Sequence, residues 1–167
     1  MNNDEKQRNY ELAEALMSEQ NFAAAVIVGA VATLLAAAAY GMLVVLWPFS
    51  YGFAAVGIGI VIGLGMQFLG HGIALKFAVV AAVYTVAGCA LGNLFALIIG
   101  LARATAASPI DVLRNSSLPA LTEHSVSGIS YVDLVYVFVA IFAAVFLAKR
   151  PLSREQGLAL HTQKMRH

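Results

Sequence analysis

The chain alternates long apolar runs with short polar breaks. Phe22–Leu46 carries no charge and stops at Trp47-Pro48-Phe49-Ser50-Tyr51. Gly52–Leu69 follows and is closed by Gly70-His71-Gly72. Phe77–Leu101 is the third run, and Val132–Ala148 the fourth, ended by Lys149-Arg150-Pro151. A helix needs about 20 apolar residues to cross roughly 30 Å of hydrocarbon. The pattern therefore predicts an all-α polytopic membrane protein with four transmembrane helices in a bundle. The second run is barely long enough, and the fourth is shorter still, with Asp133 in its first turn. Trp and Tyr favour the headgroup region, and Pro ends helices, so the aromatic turn after Leu46 suits an interface.

Three pieces lie outside these runs. Residues 1–21 form a cytoplasmic segment in which Asp4–Gln20 reads as a short helix. It is rich in Glu11, Glu14 and Glu19 and sets Tyr10, Ala13, Leu16 and Met17 on a modest apolar face. The connection 102–131 reads as an outer loop. Within it, Ser108-Pro109-Ile110-Asp111 combines an N-cap, a proline at the first helical position and an acid in the first turn. That predicts one short helix on the outer surface, followed by a Ser-rich connector. The tail 149–167 is basic, has little hydrophobic pattern, and is expected to follow the membrane surface or to be loose.

Composition sharpens this picture. Of 167 residues, 60% are apolar and 11% charged, against roughly 45–50% and about 25% in soluble domains. Between Phe22 and Ala102 the sole formally charged side chain is Lys76, which excludes an ordinary water-soluble core. The net charge of +1 gives no basic stripe for nucleic acid. The acidic start Met1-Asn2-Asn3-Asp4-Glu5 is unlike a cleaved signal peptide, so the first apolar run is expected to remain in the mature chain. With four spans the termini share one side. That side holds Lys6, Arg8, Lys76, Lys149, Arg150, Arg154, Lys164 and Arg166, and the other only Arg103 and Arg114. The positive-inside rule then places both termini in the cytoplasm.

The strongest regularity is a small residue at every fourth position. Ala25, Gly29, Thr33, Ala37 and Gly41 form one stripe, Ala55, Gly59 and Gly63 a second, and Gly88, Gly92, Ala96 and Gly100 a third. That spacing puts each set on one helix face. In lipid, helices associate by close backbone approach, which small residues permit. Gly29, Gly41, Gly59, Gly63, Gly88, Gly92 and Gly100 are thus the expected helix-packing positions, within the chain and between copies of it.

Polar chemistry inside the spans is sparse. Thr85, Cys89 and Asn93 line up beside the third stripe; they either line a pathway or, in Asn93, supply an interhelical hydrogen bond to a neighbouring backbone. Asp133 is expected to cap its helix or to pair with Arg103 or Arg114. His71 has no partner for a metal site, and Gln67 and Lys76 are expected to snorkel to headgroups beside it. Lys149, Arg150 and Arg154 read as lipid anchors, although the acidic N-terminal helix could bind the basic tail instead. A single cysteine allows no intrachain disulfide, and there is no zinc spacing. No nucleophile triad, facing carboxylate pair or phosphate loop is present, and the glycines at 57, 59, 63 and 65 lie within a span with no preceding strand. The sequence gives no reason to expect an enzyme or a cofactor.

Several motifs occur in a characteristic order. Glu19-Gln20-Asn21-Phe22 leads into the first span and Tyr51-Gly52 opens the second. Then come the spaced glycines Gly57, Gly59 and Gly63, the Gly70-His71-Gly72 turn before Phe77, and Gly88 with Gly92-Asn93. A loop with Pro and Leu precedes Asp133 and the aromatic stretch to Phe138. Over Glu19–Arg150 this resembles a family of small, uncharacterised four-span bacterial inner-membrane proteins. The resemblance implies that architecture and location and supplies no activity. The function expected is a non-enzymatic structural or accessory protein, working as a homo-oligomer or as a small subunit beside a larger membrane partner. The alternatives are a small oligomeric channel or transporter using the Thr85–Asn93 stripe, and a holin-like protein.

Overall fold

The computed structural model describes residues 3–47, 51–127 and 130–164. The aromatic turn at 48–50 and the last three residues, Arg166 among them, lie outside the described residues. The described chain is all-helical: α1 (Asn3–Ser18), α2 (Phe22–Leu46), α3 (Tyr51–Gly70), α4 (Leu75–Ala104), α5 (Pro109–Asn115), α6 (Leu118–Ser127), α7 (Tyr131–Leu147) and α8 (Arg154–Lys164). Among them α2, α3 and α4 are long and apolar enough to cross a membrane, consistent with a multi-pass membrane protein. Helix α7 is apolar but has 17 residues.

Local chemistry sets the helix ends. Asn21 caps α2 by accepting a hydrogen bond from Ala24 N at 2.9 Å. Helix α3 stops where His71 turns left-handed, with φ of 47°, and its N–H donates to Gln67 O at 3.2 Å. Helix α4 runs 30 residues, about 45 Å at 1.5 Å per residue. It continues beyond the expected 77–101 at both ends because backbone hydrogen bonding does not stop where hydropathy falls. Ser108 caps α5 as expected, accepting from Asp111 N at 3.1 Å. The remainder of the outer connection, read as a connector, contains a second helix, α6. Leu121 of α6 and Val112 of α5 are buried with Ile98 and Ala102 against the end of α4.

The tail also differs from expectation. Ser153 and Gln156 form a reciprocal cap, Ser153 N donating to Gln156 Oε1 at 3.0 Å and Gln156 N to Ser153 Oγ at 3.3 Å. Helix α8 then packs on α1, with Ala159 of α8 and Ala13 and Leu16 of α1 all buried.

Helices α2, α3, α4 and α7 pack against one another as α2 with α3 and α4, and α7 with α3 and α4. Close approaches give the directions. Gly29 faces Tyr84 and Gly41 faces Phe95, so α2 and α4 run parallel. Gly59 faces Ala140 and Gly63 faces Ala144, so α3 and α7 run parallel. Gly70 meets Ala25 and Gly65 meets Val28, so α2 and α3 are antiparallel. Alanines share the interior with a few large side chains such as Phe77, Ile62 and Met66, while many other large apolar side chains face outward. Ala25, Ala37, Ala81, Ala140 and Ala144 are 0% exposed, whereas Ile27, Leu35 and Phe138 are 64%, 67% and 73% exposed. A protein folding in water keeps most of its Ile, Leu and Phe side chains inside. So many large apolar groups facing outward is what hydrocarbon solvent favours, since they gain nothing by leaving it.

Candidate functional site

The chemistry-bearing part of the molecule is the set of seams between α2, α3, α4 and α7. Every member of the first two stripes, from Ala25 to Gly41 and from Ala55 to Gly63, is buried. On α4, Gly88 and Gly92 are buried, and Ala96 and Gly100 are half-buried.

The α2–α4 seam is reciprocal. A Cβ at Gly29 would come within 2.6 Å of the Tyr84 ring, and one at Gly92 within 2.7 Å of the Tyr40 ring. Each helix thus gives up a side chain to seat a tyrosine from its partner. Each tyrosine hydroxyl, carried into an apolar setting, must then find an acceptor. Tyr84 Oη donates to Val26 O at 3.0 Å. Tyr40 Oη donates to Asn93 Oδ1 at 2.7 Å. Asn93 therefore bonds across helices, but to a side chain rather than to the backbone expected. Lower in the same seam Gly41 admits the backbone of Phe95 and Ala96, with a Cβ 3.1 Å from Ala96 N.

The α3–α7 seam is tighter. A Cβ at Gly59 would overlap the Ala140 carbonyl oxygen, and one at Gly63 would lie 2.9 Å from Ala144 O. The facing residues Ala140, Ala144 and Ala148 are themselves a four-residue stripe, all 0% exposed. Gly88 of α4 meets Ile58 Cγ2 at 2.8 Å, joining α4 to α3. Gly100 differs: nothing lies within 4 Å of a Cβ placed there.

Thr85 and Cys89 are buried, and Thr85 Oγ1 donates to its own helix at Ala81 O, 2.8 Å away. Thr33 Oγ1 does the same to Gly29 O at 2.7 Å. Among the described residues no buried side-chain nitrogen or oxygen lacks a hydrogen-bond partner. Asp133 sits in a capping box, its Oδ2 accepting from Ser130 N at 2.8 Å while Ser130 Oγ accepts from Val132 N at 3.0 Å. Arg103 Nη1 reaches Val45 O at 3.4 Å.

At the opposite end, Arg150 Nη1 lies 2.6 Å from Glu19 Oε2, and Arg150 N donates to Gly72 O at 2.9 Å. The acidic N-terminal segment and the basic tail are therefore joined at Arg150, which is tied into the protein as well as basic. Lys149 and Arg154 are exposed, and Gln67 Nε2 donates to Lys149 O at 3.4 Å. The Lys76 ammonium rests 4.9 Å from the centre of the Phe22 ring and 5.6 Å from that of Phe77, a cation–π arrangement. His71 is exposed at its turn, and among the described residues no three His, Cys, Asp or Glu side chains are grouped to hold a metal.

Sequence reasoning missed Tyr40, Tyr84 and the Ala140–Ala144–Ala148 stripe. A tyrosine in mid-span is a signal in itself, because its hydroxyl needs a partner wherever the helix packs. No family model matches the chain, and no curated protein or solved structure matches it.

Proposed function

We propose that this chain is a non-enzymatic structural or accessory protein of a bacterial inner membrane. In this reading it crosses the bilayer four times with both termini in the cytoplasm, and acts as a homo-oligomer or as a small subunit of a larger membrane complex. The observation that carries the reading is the internal satisfaction of the seams: Asn93 is bonded to Tyr40, Thr85 to its own backbone, and Tyr84 to Val26. A pathway for ions or solutes needs polar groups turned toward it, and these are bonded to partners within the seams.

The fourth crossing is supported by the depth of α7. It runs beside α3 from Gly52, which abuts Tyr136, to the Gly72 carbonyl, which accepts from Arg150. At about 1.5 Å per residue its helix is somewhat short of the ~30 Å hydrocarbon, a mismatch that local thinning absorbs. The cytoplasmic assignment follows from the excess of Lys and Arg on the side of the termini. The motif order between Glu19 and Arg150 favours membership of the small four-span family that it resembles. The small-residue faces are largely occupied within the chain, so a second protein would use other surfaces, Gly100 among them.

Replacing Asn93 by Leu tests this against a channel. The structural reading expects a loss of about 0.6–2 kcal/mol of stability and unchanged ion flux in vesicles; altered flux at unchanged stability would refute it. Native mass spectrometry of the protein extracted with its lipid then reads the assembly. A homo-oligomer or a discrete heteromer supports an accessory role, and a lone monomer refutes it.

A further inference from the structure

Where α3 and α7 end, a groove of about 560 Å³ opens between them, lined by Gln67, Phe142, Phe146, Lys149, Arg150 and Pro151 among others. That volume lies within the roughly 300–1,000 Å³ typical of small-molecule sites. Its chemistry is graded along α7. Phe142 and Phe146 are 74% and 72% exposed and stack with ring centres 6.5 Å apart, forming an apolar wall. About one helical turn further on, the lining passes to Lys149 and Arg150.

An apolar trough that ends in two cations, at the point where a helix leaves hydrocarbon, has the polarity order of a phospholipid. We infer that this groove binds one anionic phospholipid, an acyl chain lying against Phe142 and Phe146 and the phosphate between Lys149 and Arg150. The inference rests on the four-span reading, which sets the groove at headgroup depth. Arg150 engages Glu19 through Nη1, but a guanidinium has five N–H donors and keeps others for a phosphate. Counting Lys149, Arg150 and Glu19, the rim carries one net positive charge. A headgroup with a full negative charge is therefore preferred over a zwitterionic one, whose own ammonium Lys149 repels.

The test uses the purified full chain in mild detergent with equimolar phosphatidylglycerol and phosphatidylcholine of identical chains, retained lipid being read by native mass spectrometry. The expected result is one retained phosphatidylglycerol, favoured about fivefold. That corresponds to about 1 kcal/mol for one basic residue near an anionic lipid. Lys149→Gln should remove most of that preference. Lys6→Gln, which deletes the same charge from an exposed position on α1, should leave it intact. Glu19→Gln releases Arg150 and should raise retention about twofold or more. Equal retention of the two lipids, equal losses in Lys149→Gln and Lys6→Gln, or a fall in Glu19→Gln each overturns the site. Because lipid choice is read on purified protein, a separate reporter fusion at the C-terminus tests the cytoplasmic assignment independently.

Discussion

Gly59→Ala is the sharpest perturbation available, because it adds one methyl group where two backbones touch. Its Cβ would overlap the Ala140 carbonyl oxygen and sit 2.8 Å from the Ala140 carbonyl carbon and 3.0 Å from its Cα. Ordinary carbon contacts begin near 3.5 Å, so α7 must retreat by several tenths of an ångström to about 1 Å. A gap of that size along a seam forfeits roughly a quarter to a half of each affected contact, and overpacking of this kind costs about 1–3 kcal/mol. Gly57→Ala is the matched control. It lies in the same helix and gains the same helix propensity, but its Cβ meets nothing within 4 Å. The difference between the two variants isolates the seam. In bicelles titrated with SDS and followed by circular dichroism, Gly59→Ala should unfold about 1–3 kcal/mol more easily than Gly57→Ala. Adding Ala140→Gly should not rescue it, because the obstacle is a carbonyl and not a side chain. A difference below about 0.5 kcal/mol, or rescue by Ala140→Gly, would refute the backbone contact.

Tyr40→Phe removes the hydroxyl that reaches Asn93, and a double-mutant cycle with Asn93→Leu should give a coupling of about 0.6–2 kcal/mol in the same titration. Ser130→Ala deletes the capping box of α7 and should cost about 0.5–2 kcal/mol, visible as faster amide exchange in the first turn of that helix. Gly100→Ala should leave stability of the isolated chain unchanged or slightly raised. A change in oligomer mass for that variant would show that the open α4 surface meets another chain.

Much of this was legible because lipid simplifies the code. Uninterrupted apolar runs gave α2 at Phe22–Leu46 as found, and α3 and α4 to within a turn. The cap of α5 was readable because Ser108, Pro109 and Asp111 act locally. Helix α6 was not, because Leu118–Ser127 mixes Ser, Glu and His with few apolar residues; what places Leu121 is its burial beside Ile98 and Ala102, far along the chain. Helix α8 carried a readable Ser153–Gln156 cap that a scan for apolar periodicity passes over. The seams show the same division. Four-residue spacing identifies which face of a helix is small, but not which helix it meets. That Gly59 faces Ala140, and Gly29 faces Tyr84, depends on how α7 and α4 are set against α3 and α2. A glycine stripe is also easier to notice than its alanine counterpart, although Ala140 and Ala144 close the same seam against Gly59 and Gly63.

The end bearing the termini shows why residues that look like simple anchors are placed as they are. Two junctions distant in sequence, the α1–α2 link and the segment after α7, converge on the turn after α3 through three hydrogen bonds. Asn21 N donates to Gly70 O at 3.0 Å, Ile73 N to Gln20 Oε1 at 3.4 Å, and Arg150 N to Gly72 O at 2.9 Å. Backbone groups leaving a helix have lost their internal partners, and at the edge of hydrocarbon an unpaired one is costly. The left-handed His71 ends α3, and the next carbonyl, that of Gly72, receives the amide of Arg150. A side chain on Gly72 would strike the Phe77 ring, so the turn admits little else. The Arg150 guanidinium then holds Glu19, joining the segment that leads into α2 to the one that leaves α7. Lys149, next in line, carries no such duty in its side chain and stays exposed. Of the two adjacent cations, one therefore fixes where the helices end and the other is left to meet what lies outside.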